Sequence, residues 1–109
     1  MHFNFNALFY PQSVAVIGAS SQEKSVGNDV VKNLIQQGYQ GKIFPVNPKI
    51  TQLHGLKVYA SAADLPQAVD LAVVTLRSQL VMEVLPAIAQ KGCQVLLVIS
   101  AGFKETGAV

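Results

Sequence analysis

The 109-residue chain has little of what marks several large classes of protein. It contains one cysteine, Cys93, no tryptophan, and charged side chains at only 13% of its positions. A single cysteine cannot form a disulfide within the chain, so no disulfide framework is predicted. No apolar run approaches the roughly 20 residues of a membrane-spanning helix, and no signal peptide opens the sequence. These absences predict a cytoplasmic protein that has no membrane partner.

The positive charge of the chain is also small. The net charge is +2, and the Lys and Arg residues are scattered along the sequence. Nonspecific binding to nucleic acid requires a basic patch, so we expect no nucleic-acid partner. Half of the residues are hydrophobic, which is ample for a buried core. The composition and length therefore predict one folded domain and exclude a disordered segment.

The most informative segment is an apolar run that ends in a glycine and small hydroxylated residues. It reads Ser-Val-Ala-Val-Ile-Gly-Ala-Ser-Ser from Ser13 to Ser21, and the apolar part before Gly18 is typical of a strand buried on both faces. A helix is predicted next, ending near Gly38, with a buried stripe of Val26, Val30, Val31, Leu34 and Ile35. The N–H groups of the turn and the helix dipole then converge where an anion such as pyrophosphate would bind.

This turn lacks the complete dinucleotide-binding fingerprint. The pattern G-x-G-x-x-G would place glycines at positions 20 and 23, where the chain has Ser20 and Glu23. The next glycine, Gly27, falls in the first turn of the predicted helix, where it suits close packing of that helix on the strand. The loop is therefore longer than in nicotinamide-binding enzymes. Taken alone, the unit is also compatible with an ordinary strand, turn and helix that bind nothing.

The rest of the chain repeats the alternation of strands and helices. Further strands are predicted at Lys42–Val46, Leu56–Tyr59, Asp70–Leu76 and Gln94–Ser100. A second helix precedes Gly92; Ser78 is expected to cap it and Pro86 to kink it. The predicted buried stripe of this helix is Val81, Val84, Leu85, Ile88 and Ala89. The alternation predicts an α/β, Rossmann-like fold: an open, mainly parallel sheet with helices on both faces.

The carboxyl ends of the predicted strands form the candidate binding site. In open parallel sheets, ligands bind outside these ends, near the point where the strand order reverses. The four ends are Gly18–Ser21, Asn47–Lys49, Thr75–Arg77 and Ser100–Gly102. A nicotinamide site would need an Asp or Glu after the second strand to hold the ribose hydroxyls, but Asn-Pro-Lys stands there. A cation at that place favours a phosphorylated ribose.

A series of motifs runs from one end of the chain to the other. They are Leu8-Phe9-Tyr10-Pro11-Gln12-Ser13-Val14-Ala15-Val16-Ile17-Gly18-Ala19-Ser20, Ser25-Val26-Gly27, Gly41-Lys42-Ile43-Phe44-Pro45-Val46-Asn47-Pro48-Lys49, Gly55-Leu56-Lys57-Val58-Tyr59, Leu65-Pro66, Asp70-Leu71-Ala72-Val73-Val74 and Ile99-Ser100-Ala101-Gly102-Phe103. Because these motifs occur together, the chain resembles the N-terminal coenzyme A-binding domain of the NDP-forming acyl-CoA synthetases. Similar domains open the succinyl-CoA synthetase α subunit, the ADP-forming acetyl-CoA synthetases and the synthetase-like bacterial protein lysine acetyltransferases.

The resemblance implies that CoA, or an acyl-CoA, lies across the strand ends. Gly18–Ser21 would lie near the phosphates, Lys49 near the adenosine end, and the ends of the last two strands toward the pantetheine arm. The implied site residues are Gly18, Ala19, Ser20, Ser21, Asn47, Pro48, Lys49, Thr75, Leu76, Ser100, Ala101 and Gly102. The chain departs from the family at Thr75-Leu76-Arg77-Ser78, where family members usually carry a Val-Pro-Ala type turn.

No catalytic or metal-binding residues are predicted. His2 and His54 lack the convergent partners that a general base or a metal ligand needs. Synthetases of this family work through a phosphohistidine and an ATP-grasp module, and neither fits in these residues. The resemblance therefore implies that residues 1–109 are an N-terminal fragment that binds rather than catalyses. ATP or ADP would bind only in domains outside this chain, supplied in cis or by a second subunit.

Two other interpretations stay open at this point. One is an NAD(P)-dependent oxidoreductase domain. It is disfavoured because the fingerprint lacks its second glycine and because no Asp or Glu follows the second strand. The other is a regulatory nucleotide-sensing module on the same fold, which would need a partner-binding or DNA-binding extension that this chain does not show. Within the favoured interpretation, the parent protein is a synthetase or a lysine acetyltransferase.

Overall fold

The apolar run that opens the sequence forms a central strand of a parallel sheet. The structure, a computed structural model, describes residues 10–99 of the chain. In this part, the elements in chain order are β1 (Ser13–Ile17), α1 (Val26–Gln36), β2 (Lys42–Val46), β3 (Gln52–Leu53), β4 (Leu56–Lys57), a short 3₁₀ helix (Ala62–Asp64), β5 (Leu71–Val74), α2 (Ser78–Lys91) and β6 (Val95–Val98). Strands β3 and β4 form a separate antiparallel ribbon.

The main sheet has the strand order β2-β1-β5-β6, and all its pairs are parallel. On β1, Ala15 lies opposite Phe44 of β2 on one side and opposite Ala72 of β5 on the other. After β1, the chain adds β2 on one side of it and later adds β5 and β6 on the other side. The strand order therefore reverses between β1 and β5, which is where ligands bind in open α/β sheets.

The two helices pack on opposite faces of the sheet. Successive strand residues point to opposite faces, so β1 contributes to two cores. Val14 and Val16 belong to the buried cluster that contains Val31 of α1. Ala15 and Ile17 belong to the other cluster, to which α2 contributes Val81 and Ile88. The predicted Rossmann-like α/β fold is confirmed. Across residues 10–99, no helix is both long enough and apolar enough to span a bilayer.

Local side-chain and backbone hydrogen bonds fix both ends of α1. At its start, the Ser25 hydroxyl accepts a hydrogen bond from the Asn28 N–H at 3.1 Å, which satisfies one of the free donors of the first turn. At its end, Gly38 adopts a positive φ of 77°, its N–H donates to the Ile35 carbonyl, and the Tyr39 N–H donates to the Leu34 carbonyl. These two bonds form a Schellman motif, which explains the stop predicted at Gly38.

Several local predictions are wrong. Ser78 does not cap α2: the N-cap is Arg77, no side chain caps this end, and Ser78 is the first helical residue. Ile35 of α1 and Ala89 of α2, predicted in the buried stripes, are exposed. These two side chains lie at the margins of stripes whose centres face the sheet. Helix α2 runs without interruption through Pro86, and the kink stays a prediction.

The strand predicted at Leu56–Tyr59 is also only partly present. Leu56 and Lys57 pair with the preceding β3 in the small ribbon, and Tyr59 makes an isolated parallel bridge to Val46 at the edge of the main sheet. A type I′ turn joins the ribbon strands, because both its central residues, His54 and Gly55, have a positive φ. The segment therefore covers the edge of β2 rather than adding a full strand.

The last strand is shorter and more exposed than the sequence predicts. The sequence predicts a strand at Gln94–Ser100, whereas β6 covers Val95–Val98, and Ser100 lies outside the described residues. Leu96, Leu97 and Val98 are each 41–43% exposed. Within residues 10–99, β6 pairs on one edge only, with β5. An apolar strand is therefore partly open to solvent in the described part of the chain.

Gly27 brings the start of α1 directly against the end of β1. A Cβ built on Gly27 would overlap the Gly18 carbonyl oxygen and lie 2.8 Å from the Gly18 carbonyl carbon and 3.0 Å from the Ala19 Cα. All three are backbone atoms, which cannot rotate away. The close packing predicted for this glycine is confirmed, and it requires a residue without a side chain.

We expect Gly27→Ala to destabilise the chain by about 1–3 kcal/mol, the usual cost of overpacking. Helix propensity alone would favour alanine by about 1 kcal/mol, so the sign of the change shows which effect dominates. Asn33→Ala, on the exposed side of the same helix, is the control and should be neutral or slightly stabilising. Urea denaturation of the three proteins measures this. A Gly27→Ala variant more stable than the wild type would contradict the packing argument.

Candidate functional site

A cavity of about 290 Å³ opens at the carboxyl ends of β1 and β2, beside the end of β5. Four of the predicted site residues line it: Gly18, Asn47, Pro48 and Leu76. The remaining walls come from the segment after β4 and from one side of α2. The cavity therefore lies where the strand order reverses and where the sequence placed the ligand.

Gly18 allows the end of β1 to approach the end of β5. It has a φ of +99°, and a Cβ on it would lie 2.6 Å from the Thr75 Oγ1 and 3.0 Å from the Leu76 Cδ2. The Thr75 hydroxyl donates to the Ile17 carbonyl at 3.1 Å, so its position is fixed by β1 itself. Gly18, Thr75 and Leu76 are thus brought together as the sequence predicts, and only glycine fits between them.

Two asparagine side chains hold the loop that follows Gly18. The Asn47 Nδ2 donates to the Ala19 carbonyl at 2.6 Å, and the Asn28 Nδ2 donates to the Ser20 carbonyl at 2.8 Å. The Asn47 Oδ1 also accepts from the Lys49 N–H at 2.7 Å, which shapes the turn after β2. Both functional groups of the Asn47 amide are therefore engaged with backbone. The two asparagine side chains therefore hold the loop from one side, through the carbonyls of Ala19 and Ser20.

The other predicted residues surround the cavity without lining it. Within the loop, Ala19 is buried, Ser20 is half-buried and Ser21 is exposed, and Lys49 is exposed as well. The Ser20 Oγ accepts a hydrogen bond from the Gln22 N–H at 3.0 Å, which leaves its own hydroxyl hydrogen free to donate. Ser100, Ala101 and Gly102 lie outside the described residues, so their part in the site stays a prediction.

Besides Ile17 and Val46 in the last positions of β1 and β2, six cavity residues were not predicted from the sequence: Ala60, Ser61, Ala62, Glu83, Val84 and Ala87. The first three had a sequence signal, because they follow the strand predicted at Leu56–Tyr59, and in the structure Tyr59 bridges to Val46. The last three come from the side of α2 that faces the cavity. Glu83 is the acidic residue among the lining side chains, so a phosphate is expected to lie on the Gly18 side of the cavity.

A larger cavity, of about 720 Å³, lies elsewhere in the molecule. Pro11, Gln12, Gly41 and Lys42 line it, and these residues precede β1 and β2 or begin them. It therefore extends from the amino ends of the strands along the face of the sheet that α1 covers, away from the carboxyl ends where parallel sheets bind ligands. Neither a loop held for anion binding nor the reversal of strand order occurs there, so we assign the ligand to the smaller cavity.

Cys93 has the environment of a structural residue. Its Sγ donates to the Val95 carbonyl at 2.9 Å, and burial raises the pKa of the thiol, which hydrogen bonding to backbone only partly offsets. A thiol with a raised pKa is mainly protonated near neutral pH and is a weak nucleophile. In residues 10–99, no three His, Cys, Asp or Glu side chains gather where they could hold a metal ion.

Comparison with known proteins decides the family. The family model of the CoA-binding domain matches residues 12–108 of the chain. The chain belongs to the CoA-binding domain family. This domain is 46% identical over 100 residues to an ADP-forming acetate–CoA ligase II of Archaeoglobus fulgidus, a match that covers 92% of this chain and 15% of that protein.

Other relatives agree with this assignment. The CoA-binding domain is 45% identical over 108 residues to the alpha subunit of the ADP-forming acetate–CoA ligase I of Pyrococcus furiosus, which covers 95% of the domain and 23% of the subunit. Among solved structures, it is similar to dinucleotide-forming acetyl-coenzyme A synthetase 1 of Ca. Korarchaeum cryptofilum in complex with phosphate and ADP. There the TM-score is 0.89 at 37% identity, over 97% of the domain and 23% of that chain.

These comparisons confirm the resemblance to the CoA-binding domain of NDP-forming acyl-CoA synthetases. They favour CoA over the nicotinamide and sensor interpretations. The chain spans less than a quarter of the length of each of these relatives. The identified function is therefore that of one domain.

We expect Gly18→Ala to lower the stability of this CoA-binding domain by more than the backbone strain of a positive φ alone would. Gly55→Ala is the matched control, because Gly55 has a similar φ of +83° but open space at its Cβ position. The control should cost about 1 kcal/mol of backbone strain. Gly18→Ala adds the contacts with Thr75 and Leu76, so its loss of stability should be larger by about 1–3 kcal/mol. Equal losses in thermal denaturation would show that the β5 end does not crowd Gly18.

Proposed function

We propose that the chain binds CoA or an acyl-CoA across the strand ends, with the pyrophosphate against the loop Gly18–Ser21. One observation carries this proposal. Within residues 10–99, the consecutive N–H groups of Ser20 and Ser21 donate to no acceptor, and these residues are half-buried and exposed respectively. Two consecutive accessible N–H groups, with no acceptor among the described residues, suit a bound anion.

The loop suits a phosphate in shape as well as in hydrogen bonding. Gly18 has no side chain to keep a ligand away from the backbone, and α1 begins a few residues later, with the positive end of its dipole on the same side of the sheet end. The Ser20 hydroxyl adds a further donor. Backbone N–H groups, a hydroxyl and a helix N-terminus together match the requirements of a pyrophosphate.

The turn after β2 suits the adenosine end of CoA. Its side chains are Asn47, Pro48 and Lys49, and none of them is a carboxylate that would bind two free ribose hydroxyls. The hydrogen bond from the Lys49 N–H to the Asn47 side chain fixes the backbone from which the ammonium group extends. An exposed cation at this place supports recognition of the 3′-phosphate that distinguishes CoA from NAD.

The pantetheine arm is assigned to the wall formed by β5 and α2. Leu76, Val84 and Ala87 give this wall an apolar character, and Thr75 directly follows β5. The Glu83 carboxylate disfavours phosphate there but not a neutral amide chain. Ser100, Ala101 and Gly102 would extend this part of the site.

We further propose that the parent protein is an NDP-forming acyl-CoA synthetase. The support is the identity to acetate–CoA ligases, one of which is an alpha subunit, and the short share of their length that this chain spans. ATP or ADP and the catalytic groups would then belong to other domains, joined in cis or in a second subunit. A lysine acetyltransferase parent rests on the sequence resemblance alone. The cytoplasmic location and the absence of nucleic-acid partners stay predictions.

We expect Lys49→Ala to weaken CoA binding about fivefold and to change dephospho-CoA binding little, since one exposed charge pair is lost. Lys32→Ala, which removes an exposed lysine from α1, is the control and should leave both affinities unchanged. Isothermal titration calorimetry with CoA, dephospho-CoA and NAD measures these affinities. Tighter binding of NAD than of CoA would overturn the proposed ligand. An equal loss of affinity for CoA and dephospho-CoA would show that Lys49 does not contact the 3′-phosphate, and it would leave the rest of the proposed site unchanged.

We also expect the 109-residue chain alone to have no acyl-CoA synthetase activity. It offers neither an ATP-binding module nor a phosphorylatable histidine among the predicted strand-end residues. The assay is incubation with ATP, acetate and CoA, followed by chromatographic detection of acetyl-CoA. Acetyl-CoA formed above an enzyme-free control would contradict a purely binding role for this chain.

A further inference from the structure

The side chain of Asn28, in the first turn of α1, is buried next to the phosphate loop. The proposed ligand contacts do not include it, so they do not explain why a polar side chain is buried there. It is 2% exposed, although amide side chains are mostly found on protein surfaces. Its Nδ2 donates to the Ser20 carbonyl at 2.8 Å, across a separation of eight residues. A buried amide costs stability unless its donors and acceptor are paired, so its presence calls for a specific role.

We propose that Asn28 is a positioning residue, which turns the N–H groups of the phosphate loop toward the ligand by holding a loop carbonyl from behind. This inference rests on the proposed function, since it takes the bound group to be the pyrophosphate of CoA. In a planar trans peptide, the C=O of one residue and the N–H of the next point in opposite directions. No cis peptide bond occurs in residues 10–99. The Ser21 N–H therefore points away from the buried Asn28.

Asn47 acts on the preceding peptide in the same way. Its Nδ2 holds the Ala19 carbonyl at 2.6 Å, so the Ser20 N–H points away from Asn47. Two consecutive peptides are thus fixed by amide side chains from two different elements, α1 and the end of β2. With the carbonyls held by these amides, the N–H groups of Ser20 and Ser21 are left for an anion. Fixing donors before the ligand arrives reduces the cost of ordering them on binding.

His54 lies on the other side of the Asn28 amide from the phosphate loop. The short contact with the Ser20 carbonyl requires the Asn28 nitrogen on that side, so the Oδ1 faces the other way. The His54 Nε2 lies 3.4 Å from this Oδ1, where it can act as a donor. His54 adopts a left-handed φ of 50° in the turn of the β3–β4 ribbon. The ribbon thereby supports the phosphate loop through Asn28, a role distinct from catalysis.

The test is CoA binding by Asn28→Asp in the full 109-residue chain. The substitution keeps the shape of the side chain but removes the donor to the Ser20 carbonyl. We expect CoA affinity to fall about tenfold by calorimetry, the effect of one lost hydrogen bond with two facing oxygens. Asn33→Asp adds the same charge to the exposed side of α1 and should change affinity less than twofold. Asn28→Leu, a neutral side chain of similar size that also lacks the donor, should lose affinity to a similar degree, which separates the lost donor from the added charge.

A nuclear magnetic resonance measurement distinguishes positioning from a general loss of structure. In ¹⁵N-labelled wild type, CoA should shift the amide signals of Ser20, Ser21, Thr75 and Leu76. In Asn28→Asp, the shifts of Ser20 and Ser21 should shrink while those of Thr75 and Leu76 persist at saturating CoA. A folded Asn28→Asp variant with wild-type affinity, or with equal loss of all four responses, would overturn the positioning role.

His54→Asn provides the second variant if Asn28→Asp does not fold. Asparagine tolerates the left-handed φ of the turn but is too short to reach the Asn28 side chain. We expect a two- to threefold loss of CoA affinity. Wild-type affinity in His54→Asn would remove the support from the ribbon and count against the proposal. A wild-type chain that binds no CoA would instead overturn the proposed function itself.

Discussion

The contact between Gly27 and Gly18 is the constraint on which the site depends. Because neither residue has a side chain, the first turn of α1 rests directly on the carbonyl at the end of β1. This places the N-terminus of the helix beside the phosphate loop and brings Asn28, the next residue of α1, within reach of the Ser20 carbonyl. On the other side, the absence of a Cβ on Gly18 admits the end of β5. The two glycines thus connect the helix, the loop and the reversal of strand order.

The main features of the fold follow from short-range patterns. Runs such as Val14–Ile17 and Leu71–Val74 are apolar on both faces, which only a strand covered by helices on both sides accommodates. The stop of α1 at Gly38 was visible because glycine is the residue that adopts a positive φ without strain. The errors arose where tertiary packing decides. Ile35 and Ala89 fit the helical period, but the sheet covers only the centre of each stripe, and the partial ribbon at Leu56 depends on the edge of β2.

The site was predicted less completely, for a physical reason. Sequence order locates strand ends, so the sequence alone assigns Gly18, Asn47, Pro48 and Leu76 to one place, and all four line the cavity. Contacts between residues distant in sequence cannot be located in this way. Asn28 lies in the first turn of a helix and His54 in a hairpin turn, and neither position predicts that the two side chains meet. Asn47, predicted as a ligand contact, lines the cavity, and its amide also holds the loop and shapes the turn after β2.

The central claim is that the phosphates of CoA bind at the end of β1. A crystal structure of the full 109-residue chain with CoA tests it most directly. The account predicts the pyrophosphate within hydrogen-bonding distance of the N–H groups of Ser20 and Ser21, with the adenosine end beside Lys49. Phosphates found instead against Glu83, or in the cavity at the amino ends of β1 and β2, would contradict it.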